Sequence, residues 1–323
     1  MKIIKVAGIC FILSLLVILL LKWLLLGPVT IASKPSVYIK SEETLDVAGE
    51  LAKAGYIRNA NAFQLLYLVL AGDKKIEAGG YRLDSNMHAW QIVQKLSEKP
   101  DLVWVSMREG LRKEQVGEIV GAALGWNEAQ RITWNTLYTL DTKPDFAEGV
   151  YFPDTYLLPR DETVEQIAQR FIDRFNEKFA PFLSKFTEKN IRWTTGLKIA
   201  SLIQREAGGT EDMRIISGII WNRLDKDMKL EIDATMQYTK GKIGDKWWGK
   251  IDLSEKKSNS PYNTYVYKGL PPTPIANPGL AAIDAALNPQ ETDCIFYLHG
   301  SDRQIHCAIT YEEHLQNIEE YLR

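Results

Sequence analysis

Apolar positions along this chain change their spacing several times, and each change marks an element. Val6 to Leu21 is an apolar run broken only by Ser14, and Trp23 to Leu26 extend it past Lys22. About twenty such residues, rising ~1.5 Å each in a helix, match the hydrocarbon thickness of a bilayer. Residues 6–26 are therefore expected to form a transmembrane anchor, preceded by a tail over 1–5. Lys2 and Lys5 flank the run, which places the N-terminus in the cytoplasm and the body of the chain across the membrane. A cleaved signal peptide is the competing reading; the length of the run and the lack of a small-x-small site before Gly27-Pro28 stand against it.

Beyond Gly27-Pro28 the pattern predicts a strand over Ser36 to Lys40, helices over Leu45 to Ala54 and Ala62 to Ala71, a strand over Ala78 to Leu83 and a helix over Ala89 to Leu96. These make a small α+β unit over 36–100. A second domain over 101–323 starts with a strand, Leu102 to Met107, and a helix, Lys113 to Leu124. Its centre reads as helical. A long amphipathic helix runs from Val164 to Phe179, a shorter one from Leu197 to Ala207 stops at Gly208-Gly209, and a third opens on Thr210 as N-cap, with Met213, Ile216, Ile220 and Leu224 as its buried stripe. Leu230 to Asp233 reads as a short strand. Ser260 to Gly279 holds too many prolines for a helix and is expected to be an extended, well-tied loop. A helix over Leu280 to Leu287, a hairpin over Cys294 to Cys307 turning at Gly300-Ser301, and a helix starting near Thr310 complete an α+β fold.

Composition narrows the chemistry. Lys+Arg of 39 against Asp+Glu of 41 gives a net charge of −2, with no basic field to draw the protein onto nucleic acid. There is no glycine-rich phosphate cradle, His-Glu-x-x-His, Cys-x-x-Cys or Gly-x-Ser-x-Gly, and His88, His299, His306 and His314 are too scattered for a metal cluster. No metal or cofactor is expected. Of the three cysteines Cys10 lies in the apolar run, and the hairpin sets Cys294 opposite Cys307, either as small core residues or as a disulfide.

What remains is carboxylate chemistry. Ile199, Leu202, Ile203 and Glu206 share one helix face, so the Glu206 carboxyl faces the interior or a cleft. Burial and the negative end of its helix both disfavour the charged form, which would keep it protonated as a general acid requires. The plainer alternative is a core-edge glutamate paired with an arginine. Asp154, Asp233 and His306 are the candidates for a second polar group. Tyr262-Asn263-Thr264-Tyr265 offers aromatic faces and amide or hydroxyl groups suited to a sugar, or else simply ties down its loop. Trp247-Trp248 is read as packing or as a stacking platform.

Motifs in one order give a resemblance over nearly the whole chain after the run: Glu148-Gly149 with Phe152-Pro-Asp-Thr-Tyr156, Ala200-Ser-Leu-Ile-Gln-Arg-Glu-Ala207, Asn222-Arg223-Leu224, Tyr262-Asn-Thr-Tyr265, Gly269-Leu-Pro-Pro272 and Ile275-Ala-Asn-Pro-Gly279. The chain resembles the bacterial membrane-anchored endolytic murein transglycosylases, the YceG-like family. Family members often carry Glu-Lys-Glu or Glu-Arg-Glu where this chain has Gln204-Arg205-Glu206, which leaves Glu206 as the acid. Ala234, where a proline is usual, and Ala308, where an aromatic is common, are further departures.

The resemblance implies cleavage of the β-1,4 bond between N-acetylmuramic acid and N-acetylglucosamine in peptidoglycan, closing a 1,6-anhydro ring. It also implies a LysM-like first unit and an inner-membrane anchor with a periplasmic body. Nascent glycan strands would be the substrate, with peptidoglycan synthases as neighbours. Glu206 would be catalytic, with Asn222, Asp233, Gln237, Tyr262, Asn263, Thr264 and Tyr265 as substrate-binding residues. A two-carboxylate muramidase using Asp233 or Asp154, and a non-catalytic glycan-binding scaffold, are the alternatives.

Overall fold

The computed structural model describes residues 12, 14–16, 18, 19, 22, 23, 25–29, 36–39, 44–84, 86–137 and 148–322. Among them, no helix is long and apolar enough to cross a membrane. The tail expected over 1–5 lies outside the described residues, and so does much of the crossing expected over 6–26. The described residues between 12 and 26 are helical, and Ile12, Leu15, Leu16, Ile18 and Leu19 are exposed.

The chain forms two compact units, Met1–Val105 with Tyr156–Asp161, and Ser106–Thr155 with Glu162–Arg323. In the first, β1 (Ser36–Ile39), α1 (Thr44–Lys53), α2 (Ala60–Ala71), β2 (Gly79–Arg82), α3 (Ala89–Leu96) and β3 (Leu102–Ser106) follow the expected order within two residues. β4 (Thr155–Pro159), not anticipated, completes a sheet of order β1-β2-β3-β4. β1 and β2 are antiparallel, with Val37 opposite Tyr81. Ile39, Leu51, Phe63, Tyr67, Tyr81 and Leu96 fill the core between sheet and helices. Asn59 fixes the start of α2 by accepting from the Ala62 amide at 2.9 Å.

The second unit is mostly helical: α4 (Lys113–Leu124), α5 (Glu128–Thr136), α6 (Val164–Glu188), α7 (Trp193–Glu206), α8 (Met213–Asp225), α9 (Asp233–Lys240), α10 (Leu280–Leu287) and α11 (Tyr311–Tyr321), with β5 (Phe296–His299) antiparallel to β6 (Ile305–Ala308). α7 is apolar around most of its circumference, as a central helix must be, and packs against α6, α8, α9 and α10. Leu197, Ile199, Leu202 and Ile203 are wholly buried with Ile283 and Ala286.

Several elements differ from the sequence reading for physical reasons. α6 runs past Phe179 and through Pro181, because a stripe of Phe175, Phe179 and Phe186 keeps packing and offsets the amide that proline lacks. Phe175 and Phe179 stack with centroids 4.9 Å apart. α8 starts at Met213, not after Thr210; the Thr210 hydroxyl turns to Glu211 at 3.0 Å and Asp212 stands at the N-cap. The strand expected over Leu230 to Asp233 does not form. Glu231 takes φ +55°, which breaks an extended run, and Asp233 already begins α9.

The hairpin does not turn at a two-residue Gly300-Ser301 pair. Its loop spans residues 300–304, closed by the Gly300 amide on the Gln304 carbonyl at 2.9 Å, so Cys307 faces Tyr297 rather than Cys294. Cys294 lies ahead of the paired strand, free of its alternation, and forms a disulfide with Cys307 across a Cα separation of 5.8 Å.

Candidate active site

Glu206 is the last residue of α7, at the end of the stripe formed by Ile199, Leu202 and Ile203. Its partner is a tyrosine, not an arginine: the Tyr297 hydroxyl donates to Glu206 Oε2 at 2.8 Å. The Ala234 backbone amide, in the first turn of α9, also donates to this carboxyl. Proline at 234 could not make that bond, so the departure noted in the sequence gives Glu206 a donor. Burial raises the Glu206 pKa most and the negative charge of Asp233 adds to it; Tyr297, the Ala234 amide and His299 pull the other way without cancelling the rise. The positive end of α9 therefore opposes the negative end of α7 at this carboxyl.

Glu206 lines a cavity of about 420 Å³ with Asp233, Tyr265, Tyr297, His299 and Arg223. Asp233 Oδ1 accepts from the Tyr265 hydroxyl at 2.5 Å and pairs with Lys256 Nζ at 2.9 Å. His299 Nε2 meets Asp212 Oδ2 at 3.1 Å. Arg223 holds the walls together from α8: Nε donates to the Ile295 carbonyl at 2.5 Å, and Nη1 donates to the carbonyls of Lys229 and Leu230 at 3.0 Å. One guanidinium thus fixes both the strand that carries Tyr297 and the stretch leading to Asp233.

The other expected residues divide into two groups. Gln237 lies one turn beyond Asp233 on α9 and is half-buried, and Tyr262 packs on Tyr238 while its hydroxyl bonds Thr273 at 2.8 Å. Asn222, Asn263 and Thr264 have spent their polar groups within the fold. The Asn222 amide donates to the carbonyls of Thr292 at 2.6 Å and Cys294 at 3.0 Å, and the residue lines a different cavity. Asn263 is fully buried and donates to the carbonyls of Lys256 and Ser258. Thr264 Oγ1 accepts from the Ile232 amide at 3.0 Å and bonds Thr235, fixing the start of α9. Asp154 pairs with Arg174 at 2.6 Å and His306 stacks on Tyr321, both apart from the Glu206 cavity. Trp247 and Trp248 receive the Arg112 and Arg205 guanidinium groups on their faces at 4.8 and 4.0 Å.

Tyr297, His299 and Arg223 were not singled out from the sequence, although Arg223 lies inside a quoted motif. The alternation of the hairpin strand, which puts Tyr297 and His299 on one face, was the available signal. Gln204, another of the three departures, is structural: its Oε1 accepts from the Gly279 amide at 3.0 Å and so anchors the start of α10 to α7. Among the described residues no group of three or more His, Cys, Asp or Glu is placed to hold a metal.

A second buried carboxyl lies at Glu148, which accepts from the Lys113 amide at 3.0 Å, the Tyr238 hydroxyl at 3.1 Å and the Asn277 amide at 3.3 Å. Burial, with Glu114 nearby, pushes its pKa up to about 8 against the pull of Arg112. Gly149 beside it takes φ +89°, and a Cβ there would stand 2.8 Å from Pro274, so the tight passage needs glycine.

The YceG-like family model matches residues 37–320. An endolytic murein transglycosylase of Bacillus subtilis is 29% identical over 323 aligned residues, covering 92% of this chain and 88% of the relative. One of Streptococcus pneumoniae is 26% identical over 314, covering 86% of this chain; the chain spans 56% of that relative's length. The crystal structure of a YceG-like protein of Listeria monocytogenes superposes with a TM-score of 0.61 at 26% identity, covering 88% of this chain and 99% of that one.

Proposed function

The chain belongs to the YceG-like family, and from that premise we propose that it is an endolytic murein transglycosylase, a lyase acting on the glycan strands of peptidoglycan. The observation that carries this reading is the Glu206 carboxyl, held against Tyr297 in a cavity with its pKa raised. The bond cut is the β-1,4 link between N-acetylmuramic acid and N-acetylglucosamine.

Protonated Glu206 gives its proton to the bridging oxygen as the C1–O bond breaks, and the departing sugar leaves with a free hydroxyl. The resulting carboxylate takes the proton of the muramyl C6 hydroxyl while O6 closes on C1. The 1,6-anhydro ring forms, no water is consumed and Glu206 regains its proton. The Tyr297 hydroxyl and the Ala234 amide stabilise the carboxylate between the two transfers. Asp233, oriented by Tyr265 and Lys256, supplies negative charge beside the positive character that develops at C1. Gln237, one turn beyond Asp233 on α9, and Tyr262 of the tyrosine loop are read as further glycan-binding residues.

Residues 6–26 are read as a single inner-membrane anchor, with residues 1–5 cytoplasmic and both folded units periplasmic. The exposed apolar side chains between 12 and 23 support this. The α+β unit over 36–100 is read as LysM-like and holds glycan, and nascent strands beside the peptidoglycan synthases are the natural substrate. The position of Asp233 in the same cavity favours one rival, a two-carboxylate hydrolase. Mass spectrometry of uncrosslinked glycan strands digested by the full-length protein separates the two. Ends carrying 1,6-anhydro sugars are expected, and ends that have gained water would establish the hydrolase instead.

A further inference from the structure

Helix α2 carries a surface that its own unit does not use. Its twelve residues, ANAFQLLYLVLA, contain no charge; Phe63 and Tyr67 point into the core, while Leu65, Leu68 and Val69 are 65%, 58% and 72% exposed. Positions 65, 68 and 69 share one face, so the exposed side chains form a stripe rather than scattered single residues.

The end of the N-terminal apolar run is tied to this helix. Leu26 packs against the core of the first unit and lines one groove with Leu66. The Arg58 guanidinium lies 4.4 Å from the Trp23 ring and donates to the Pro28 carbonyl at 3.0 Å. An apolar groove of about 480 Å³ then lies between the run and the helix, lined by Leu19, Trp23, Leu66, Leu70 and Trp90, with Lys22 at its edge. These contacts set a depth. If Leu19 is within the hydrocarbon and Trp23 at the headgroup boundary, where tryptophan prefers to lie, then Leu66 and Leu70 are at that boundary too. The outward stripe of α2 belongs to the same short helix.

We propose that α2 is an interfacial membrane helix: Leu65, Leu68 and Val69, with Trp90 alongside, rest among the lipid headgroups and upper acyl chains where the anchor leaves the bilayer. This rests on the reading of residues 6–26 as a membrane crossing. Such a contact holds the first unit against the bilayer, beyond the tether that an anchor alone supplies, because the apolar stripe gains burial only when the unit lies down on the lipid.

The test places an environment-sensitive fluorophore on Val69→Cys in the full-length chain, in a Cys10→Ser background, reconstituted into phosphatidylethanolamine and phosphatidylglycerol vesicles; Leu65→Cys serves as the second labelling site. Expected are a blue-shifted emission and loss of roughly half the signal or more when the vesicles carry lipids brominated near the top of the acyl chains. Water-like emission that brominated lipid leaves unchanged, in a chain that resists alkaline carbonate extraction, overturns the contact and leaves the anchor standing. A blue shift without bromine quenching means that protein covers the stripe, and also overturns it. A chain that carbonate releases with its fluorophore unquenched overturns the anchor and the contact together.

Discussion

The Tyr297 hydroxyl donates to Glu206 Oε2 at 2.8 Å, joining the last residue of a central helix to a strand 91 positions further along the chain. That bond and the neighbouring Asp233 act on the carboxyl in opposite senses. Tyr297 favours the carboxylate and lowers its pKa, whereas Asp233 disfavours it and raises it. The reaction starts from protonated Glu206, so the alkaline limb of kcat/KM follows this pKa. Tyr297→Phe is expected to move the limb to higher pH and Asp233→Asn to lower pH, as read from pH–rate profiles of glycan cleavage. Shifts in one common direction would refute the assignment. A rate loss of roughly tenfold in Tyr297→Phe corresponds to ~1.4 kcal/mol of lost transition-state interaction.

Thr264 separates a sugar ligand from a structural residue. Its Oγ1 accepts from the Ile232 amide and bonds Thr235, all buried. Thr264→Val leaves that amide without its acceptor and is expected to cost about 1–3 kcal/mol of stability in chemical denaturation. Glycan affinity of the folded variant should stay near that of the wild type; a variant of unchanged stability with weakened binding would return Thr264 to the sugar site.

The contrast between Glu206 and Thr264 shows what the sequence disclosed. Glu206 was legible because an acid on an apolar stripe at helical spacing has few other places to point. The elements α3 and α10 were legible for the same periodic reason. Asn263 and Thr264 looked like sugar ligands because they are polar and flanked by tyrosines. A proline-rich loop without a hydrogen-bonding ladder needs such side chains to satisfy its own backbone, and that demand took them. Helix α9 was hidden because only Ala234, Thr235 and Met236 of its residues are buried, too few for a periodic stripe. Tyr297 and Arg223 act across distant segments, through contacts that no local spacing records.

Glu148 predicts a pH dependence of stability. Its folded pKa of about 8 lies above the ordinary 4.5, so the folded state prefers the protonated form. Its contribution is fully present below pH 4.5 and is lost as pH rises through 8. The stability of the wild type relative to Glu148→Gln should therefore fall between these two values and level off above them, as measured by denaturant midpoints across pH. A difference that rises over that window would contradict the assignment.

The disulfide closes a sequence separation of 13 residues around the hairpin that carries Tyr297. Replacing Cys294 and Cys307 together by serine should cost roughly 3 kcal/mol, the usual worth of a loop of this length. Thermal unfolding of the variant checks the size. Cleavage should also weaken, since Tyr297 is paired directly with Cys307 in the hairpin.

The most direct test of the whole account is the rate at which Glu206→Gln cleaves uncrosslinked glycan strands, measured beside its thermal unfolding. Glutamine keeps the size of the side chain and can still accept from Tyr297, but it can neither give the proton to the bridging oxygen nor take one back. The account predicts a folded protein whose cleavage is reduced by roughly 10³-fold or more. A folded Glu206→Gln protein that still releases 1,6-anhydro ends at a rate near that of the wild type would contradict it.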